Sequence, residues 1–594
     1  MMEETIVAIF QNQIKKYGDR VIMRRKREGK WINISWREFG QKVKDFSLGL
    51  VFLGLKKKET VCLLSRNRPE WAYSDFAILS AGGITVPIYQ TLLSPDVAYI
   101  IGNSEAKIII VEDQSQLDKV MQVKDNLPNL KKIIVMERVK DDNPLIMSFE
   151  DVCSLGVKKE EEEPGIFEKN LSSINLDDVA TYVYTSGTTG PPKGSIITHS
   201  NIMFICRSVR KIIPSDDSNN TISYLPLAHI YERIGNQFFG TYTGGRTSYA
   251  ESFDALAQNL QEEHPTILLA VPRVFEKVYE RILTAVKEEP KLKRSIFNWS
   301  LEVGKEVSQL RQMKKGVPLP LKIKYSLAEK LVFSKIKKSL GGRIKWIVSA
   351  AAPLSVDIAH FFDALGILIL EGYGLTETSA PATLNTPDWY KIGTVGRPIP
   401  GVEIKIADDG EILIKGGGVF QGYFKNPEAT KEALKDGWFY SGDVGELDKD
   451  GFLKITDRKK DIIITAGGKN IAPQNIENHF KNNLYLSEVL VIGDKRPYLT
   501  ALITLNKEEI TKFAQEKGIS FKDFSQLIKH PEIKSLVESI VEEKNKSLAR
   551  FETIKKFTIL DKDFTIESGE LTPTLKVKRK FATQKFKEQI MAMY

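Results

Sequence analysis

The chain has 594 residues, 42% hydrophobic and 27% charged, with a net charge of +9. That length excludes a single small core; at roughly 150 residues per unit it predicts about four structural units, which large α/β enzymes often merge. The mild positive charge excludes the dense basic stripe of a nucleic-acid binder and suits anionic small substrates or an anionic membrane face. Cys62, Cys153 and Cys206 are widely spaced, with no CxxC pair, so a reducing compartment is expected. The six histidines form no HExxH pair, and no metal cage is visible. The early acids of the N-terminus do not resemble a signal peptide. No apolar run reaches the roughly 18 residues of a spanning helix. The expected location is cytoplasmic.

Residues 1–170 alternate helical and strand patterns. Phe39, Val43, Phe46 and Leu50 recur at helical spacing within Trp36–Leu53, while Thr60–Leu64 and Ile108–Val111 are short apolar runs typical of buried parallel strands. This is the rhythm of a doubly wound α/β unit. The charged run Lys158–Pro164 reads as a solvated loop between subregions.

A strand predicted over Asp178–Tyr184 then leads into Thr185-Ser186-Gly187-Thr188-Thr189-Gly190, two prolines, Lys193 and Gly194. A helix start follows at His199, with Ser200 or Asn201 as its cap. Glycines let backbone N–H groups approach phosphate oxygens, hydroxyls donate hydrogen bonds and a lysine neutralises charge. The order is Lys-Gly rather than Gly-Lys-Ser/Thr, which excludes an ordinary Walker loop.

Further on come Leu225-Pro-Leu-Ala-His229, a basic block over Lys291–Lys338, and a strand ending in the small residues Ala350-Ala351-Ala352. The basic block carries Phe297, Trp299, Val303, Val307 and Leu310 near helical spacing. It reads either as an ordinary surface helix or as a membrane-facing amphipathic patch. After them stands Glu371-Gly372-Tyr373-Gly374-Leu-Thr376-Glu377. Residues 400–456 are short strands and glycine turns, a barrel-like subdomain containing Asp443. Asp457 and Arg458 precede Gly467-Gly468-Lys469, a helix from Pro473 to Phe480, strands at Glu488–Ile492 and Leu499–Thr504, and an extended helical stretch over 505–553. Near the end, Leu571-Thr-Pro-Thr-Leu-Lys576 leads into Lys578, Arg579 and Lys580, which read as ordinary surface charges.

Taken in this order, the strings resemble the AMP-forming acyl-CoA synthetases, the superfamily of luciferase and peptide-synthetase adenylation domains, and most of all its long-chain fatty acid branch. The resemblance covers nearly the whole chain. It implies an α/β fold: a large N-terminal domain (1–456) of doubly wound subdomains with the small barrel-like one, a hinge at Asp457 and Arg458, and a small mobile α+β domain (459–594). It implies ATP, Mg²⁺ and CoA acting on a fatty acid, with no obligate protein partner and a peripheral membrane contact at most. An acyl-adenylate and pyrophosphate form first; the CoA thiol then displaces AMP. The alternative is an adenylating ligase that hands its acyl group to another acceptor.

The same resemblance implies the residue roles. Residues 185–190 and Lys193 would hold phosphates, and Thr185 with Glu377 the metal. Ala351, Glu371, Gly372, Tyr373, Gly374 and Thr376 would surround adenine and phosphate, with Tyr373 able to stack on the base. Asp443 would take the ribose hydroxyls, Arg458 the nucleotide and His229 the acyl channel. Lys576 would be the catalytic lysine, and the Gly467–Lys469 loop would serve the thioester step. Unit charges about 4 Å apart repel by ~4 kcal/mol at an effective dielectric near 20. A lysine bridging carboxylate and α-phosphate would cancel that repulsion. The sequence departs from the pattern after His229: Ile230-Tyr231-Glu232-Arg233 lacks the gating tryptophan of some bacterial long-chain enzymes.

Overall fold

The computed structural model describes residues 4–139, 142–185, 191–466, 469–565, 568–572 and 576–594. The Ser186–Gly190 and Gly467–Gly468 segments read above lie outside them.

A seven-stranded sheet runs in the order Ile146–Ser148, Lys132–Val135, Ile108–Val111, Thr60–Leu64, Ile84–Ile88, Val179–Thr185, Lys193–Thr198. All neighbours are parallel except the last pair. Its central strands are buried on both faces, which is why their sequences are continuous Val/Ile/Leu runs rather than alternating ones. A second sheet sets Ile267–Ala270, Trp346–Ser349 and Ile369–Leu375 in parallel, followed by antiparallel Ala380–Leu384 and Arg397–Pro398. A third contains Asn220–Ser223 and Arg246–Tyr249, parallel to each other and to Val21–Arg27. It meets the second where Thr266 N donates to Asn220 O at 2.9 Å.

The barrel-like subdomain is a five-stranded antiparallel sheet that branches at Trp438–Leu447. Residues from Ile463 onward close their own cores around Leu486–Ile492, Leu499–Leu505 and Ile554–Ile559. The large α/β part and the smaller α+β part both follow the predicted class.

Several local expectations change. The charged run after Lys158 is the last turn of a helix, Phe149–Glu162, nucleated by a capping box between Ser148 and Asp151. The cap of His199–Ile212 is Thr198, whose hydroxyl accepts from Asn201 N. Residues 505–553 break into Lys507–Glu516, Phe524–Leu527 and Pro531–Asn545, because Gly518 turns the chain at φ +67° and Pro531 starts a new helix. In the basic block, Phe297, Val303 and Val307 of helix Lys291–Gln312 are buried while Trp299 stays 37% exposed, so most of that helix's predicted apolar stripe is covered.

Candidate active site

The strands on either side of the predicted phosphate loop pair in register. Thr185 ends one strand, Lys193 begins the next, and the two are direct cross-strand partners. Both line a cavity of about 2120 Å³ enclosed by the large and small parts of the chain. Across it, Gly374 lies so close to Ala380 that a Cβ would sit 2.0 Å from the Ala380 carbonyl oxygen. This close approach turns the chain tightly into Thr376–Thr378 and puts Glu377 on the cavity wall. Tyr423 Oη donates to Glu377 Oε1 at 2.7 Å, and Lys193 Nζ stands 5.1 Å over the Tyr423 ring. One tyrosine thus joins the loop lysine to the acidic residue.

Asp443 is buried and doubly held: Tyr373 Oη donates to Oδ2 at 2.7 Å and Arg458 Nε to Oδ1 at 2.9 Å. The Tyr373 ring packs among Ala382, Ile412 and Phe439. Ala351 takes φ +73°, a left-handed conformation that costs a residue with a Cβ about 1–2 kcal/mol. It lines the cavity with Glu371, Gly372, Gly374 and Thr376. Burial pushes the Glu371 carboxyl up to about 8, against two backbone N–H contacts that favour its charged form. Asp457 is buried as well; it is pushed up to about 6, and its Oδ2 has no partner.

Lys576 comes from the far end of the polypeptide and lines the same cavity. Its backbone is tied to Thr572: Thr572 N donates to Lys576 O at 2.8 Å, and Lys576 N to Thr572 Oγ1 at 3.0 Å. Its surface opens into the cleft, yet the walls crowd water away from the ammonium. That loss of solvation, with repulsion from Arg458, lowers its pKa to about 8; Asp443 opposes the shift. Arg579, three residues on, is not an ordinary surface charge. Its Nη2 pairs with Glu477 Oε1 at 2.6 Å and its Nη1 donates to Val491 O at 2.8 Å, pinning the segment after the lysine to the smaller part. Lys469 lies elsewhere, its Nζ 5.7 Å over the Phe551 ring.

A family model for AMP-binding enzymes matches residues 10–424, and one for the AMP-binding enzyme C-terminal domain matches residues 460–594. The chain belongs to the AMP-binding enzymes. It is 37% identical over 585 residues to the long-chain-fatty-acid–CoA ligase FadD15 of Mycobacterium bovis, covering 97% of this chain and 94% of that one. It is 35% identical over 624 residues to the long-chain-fatty-acid–CoA ligase ACSBG2 of Xenopus laevis, covering 99% and 84%. Among solved structures, the adenylation domain of a carboxylate reductase from Mycobacterium chelonae superposes with a TM-score of 0.77 at 20% identity, covering 100% and 92%. That last likeness concerns the fold.

In this AMP-binding enzyme His229 is tied down. Its Nδ1 accepts from Tyr231 N at 3.1 Å, so the neutral ring carries its proton on Nε2. Burial, with the nearby Lys576 charge, lowers its pKa to about 3, so the ring is neutral at neutral pH. Beyond it the cavity continues as a tunnel along the helical run 230–243, whose middle, Arg233–Phe238, is a π-helix. Gly235 lets this run approach the sheet, since a Cβ there would meet Leu269 Cδ1 at 2.8 Å. Behind the tunnel, Arg233 and Asp75 form an ion pair with neither side chain exposed.

Residue patterns do not reveal Tyr423, Asp75 or Arg233. Each is an isolated residue whose partner lies far away in sequence: 46 positions for Tyr423 and Glu377, 158 for Arg233 and Asp75.

Proposed function

We propose that this enzyme is a long-chain fatty acid–CoA ligase, activating a fatty acid with ATP to acyl-AMP and pyrophosphate and passing the acyl group to CoA. One observation carries the reading: Lys576, Asp443, Arg458 and neutral His229 share one cavity with an apolar tunnel. A nucleotide beside a tunnel mouth, with a cation between them, is what a carboxylate needs to attack a phosphate. Lys576 offsets the repulsion between the two anions and stabilises charge on the phosphorus oxygens. The His229 Nε2–H orients the carboxylate. Asp443 receives the ribose hydroxyls on its remaining lone pairs, and Lys193 with the 185–190 loop holds the departing pyrophosphate.

Among the described residues no group of three or more His, Cys, Asp or Glu side chains could cage a metal. Mg²⁺ typically keeps waters and phosphate oxygens and takes only one or two protein ligands. Glu377, with Oε1 committed to Tyr423 and Oε2 left, and Thr185 fit that need. The ion supplies charge shielding of the phosphates. For the second step, the part after Asp457–Arg458 turns as a body about these two residues, withdrawing Lys576 and bringing in the Gly467–Lys469 loop. Pyrophosphate release from ATP that depends on a long-chain acid, followed by CoA-dependent AMP release, tests the assignment. Acyl-AMP that accumulates with CoA present but unused would favour another acceptor.

Because Lys576 acts as a cation, the sign of its pH dependence follows: the charged fraction falls as pH rises through about 8. We expect kcat/KM for pyrophosphate release to drop about tenfold per pH unit above that value, well below the 10.5 of an ordinary lysine. A pH–rate profile measures it, and Lys576→Arg should remove the alkaline limb.

Among the described residues no helix is long and apolar enough to cross a membrane. A surface contact is the better fit, and it belongs to the helical run after Lys291–Gln312. There Leu319, Ile323, Leu327 and Leu331 recur every fourth residue, 70%, 64%, 49% and 42% exposed. Exposed Lys322, Lys324, Lys330 and Lys335 accompany them. An apolar stripe with lysines fits an anionic lipid surface, from which the substrate would be drawn. Leu319→Ser, Ile323→Ser and Leu327→Ser together should weaken co-sedimentation with phosphatidylserine-containing vesicles at least about tenfold, leaving activity on detergent-dispersed substrate intact.

A further inference from the structure

We propose that the distal end of the acyl tunnel is a polar subsite that accepts an oxygen function on the ω-end of the fatty acid, a hydroxyl or a carboxylate. The inference rests on the acyl-activating reading above and specifies its substrate class.

The tunnel follows the parallel strands. Its mouth lies at their C-terminal ends, where Ala350–Pro353 line the cavity near Lys576, and its far end lies at their N-terminal ends. Ile205, Val209, Ile234, Phe239, Leu269 and Val348 give it apolar walls. Along the middle, the lining side chains Thr221, Thr247 and Asn236 are tied to one another. Thr221 Oγ1 and Thr247 Oγ1 both donate to Asn236 Oδ1, at 2.6 and 3.1 Å, and Asn236 Nδ2 donates to Glu232 Oε1 at 2.8 Å. A hydrocarbon can slide past such a wall.

The far end differs. Ser215, Asn219 and Arg246 line it. Ser215 is 4% exposed and Asn219 5%, yet Ser215 Oγ, Asn219 Nδ2 and Arg246 Nε have no hydrogen-bond partner. Buried polar groups are normally paired, so several unpaired ones at one tunnel end need a partner from outside the chain. Two of the three can only donate, and the third can. Their partner is therefore an acceptor oxygen.

Charge agrees. Arg246 Nη2 reaches Glu263 Oε2 at 3.3 Å, but Arg24 competes directly for that carboxylate, since Arg24 Nη1 pairs with Glu263 Oε1. Arg343 adds further positive potential at Arg246, and Lys345 Nζ donates to Asn219 Oδ1 at 3.4 Å. That last bond turns the Asn219 amide so that its N–H groups remain for the tunnel. A terminal methyl would leave these donors stranded; a terminal oxygen would use them.

Pyrophosphate release is measured with palmitate, ω-hydroxypalmitate and the matching α,ω-diacid, on the wild-type chain and on Ser215→Ala/Asn219→Leu. We expect at least one oxygenated acid to exceed palmitate by about tenfold or more in kcat/KM, with the gain in KM. In the double variant that ratio should fall to about one or below. Because the readout is a ratio within one protein, a general loss of folded enzyme does not move it. The relative rates of the hydroxy acid and the diacid tell which oxygen function the end prefers. Palmitate used as well as both oxygenated acids, or a ratio unchanged in the double variant, overturns the inference while the ligase reading stands. No pyrophosphate release with any acid sinks both.

Discussion

Lys576→Ala is expected to slow acyl-adenylate formation by roughly 10³-fold or more, about 4 kcal/mol of barrier, the scale of losing one well-placed charged donor. Transfer to CoA from supplied acyl-AMP should be nearly untouched. The asymmetry follows from geometry. Lys576 lines the cavity whereas Lys469 lies over the Phe551 ring, which fits the proposed exchange of the two between the steps. The Lys576 backbone is held by Thr572, so removing the ammonium leaves those bonds in place. Rapid-quench measurement of pyrophosphate, set beside thioester formation from synthetic acyl-AMP, separates the steps. Equal losses in both would refute a swing about Asp457–Arg458.

The elements most legible in the sequence are those whose chemistry is local. A buried parallel strand writes itself as Thr60-Val-Cys-Leu-Leu64, because neighbours along the chain are the interacting parts. Lys576 was legible only as a string, since its meaning depends on a cavity that the other end of the protein builds. Arg579 was misread for the same reason: Glu477, its partner, is 102 positions away. Helical period located the basic block correctly, but period cannot say which helix is covered. Val303 and Val307 are buried against neighbours, and the uncovered stripe falls on the next helical run at Leu319 and Ile323. The tunnel end was invisible because Ser215, Asn219 and Arg246 are unremarkable singly and matter only as unpaired neighbours.

Asp75→Ala should destabilise the large part of the enzyme by about 3–5 kcal/mol, the cost of leaving a buried guanidinium without its counter-charge. Here the geometry makes that cost steep. Arg233 Nε donates to Asp75 Oδ2 at 2.9 Å, Nη2 pairs with Oδ1, Nη1 donates to Thr181 Oγ1 at 2.7 Å, and Gln237 Nε2 donates to Asp75 Oδ2 at 2.6 Å. The guanidinium lies 5.6 Å from the Trp71 ring and 5.1 Å from that of Phe238, neighbours that offer it no other counter-charge. Arg233 and Gln237 both belong to the π-helical segment that lines the proposed acyl tunnel. The pair therefore fixes the tunnel wall to helix Pro69–Ser80 as well as contributing to stability. Denaturant unfolding followed by the fluorescence of Trp71 and the other tryptophans measures the loss. Asp75→Ala/Arg233→Met should recover most of it, since removing both charges leaves an apolar contact in place of an orphaned ion. Recovery of stability without recovery of long-chain activity would show that the pair shapes the tunnel; recovery of both would leave it a purely structural tie.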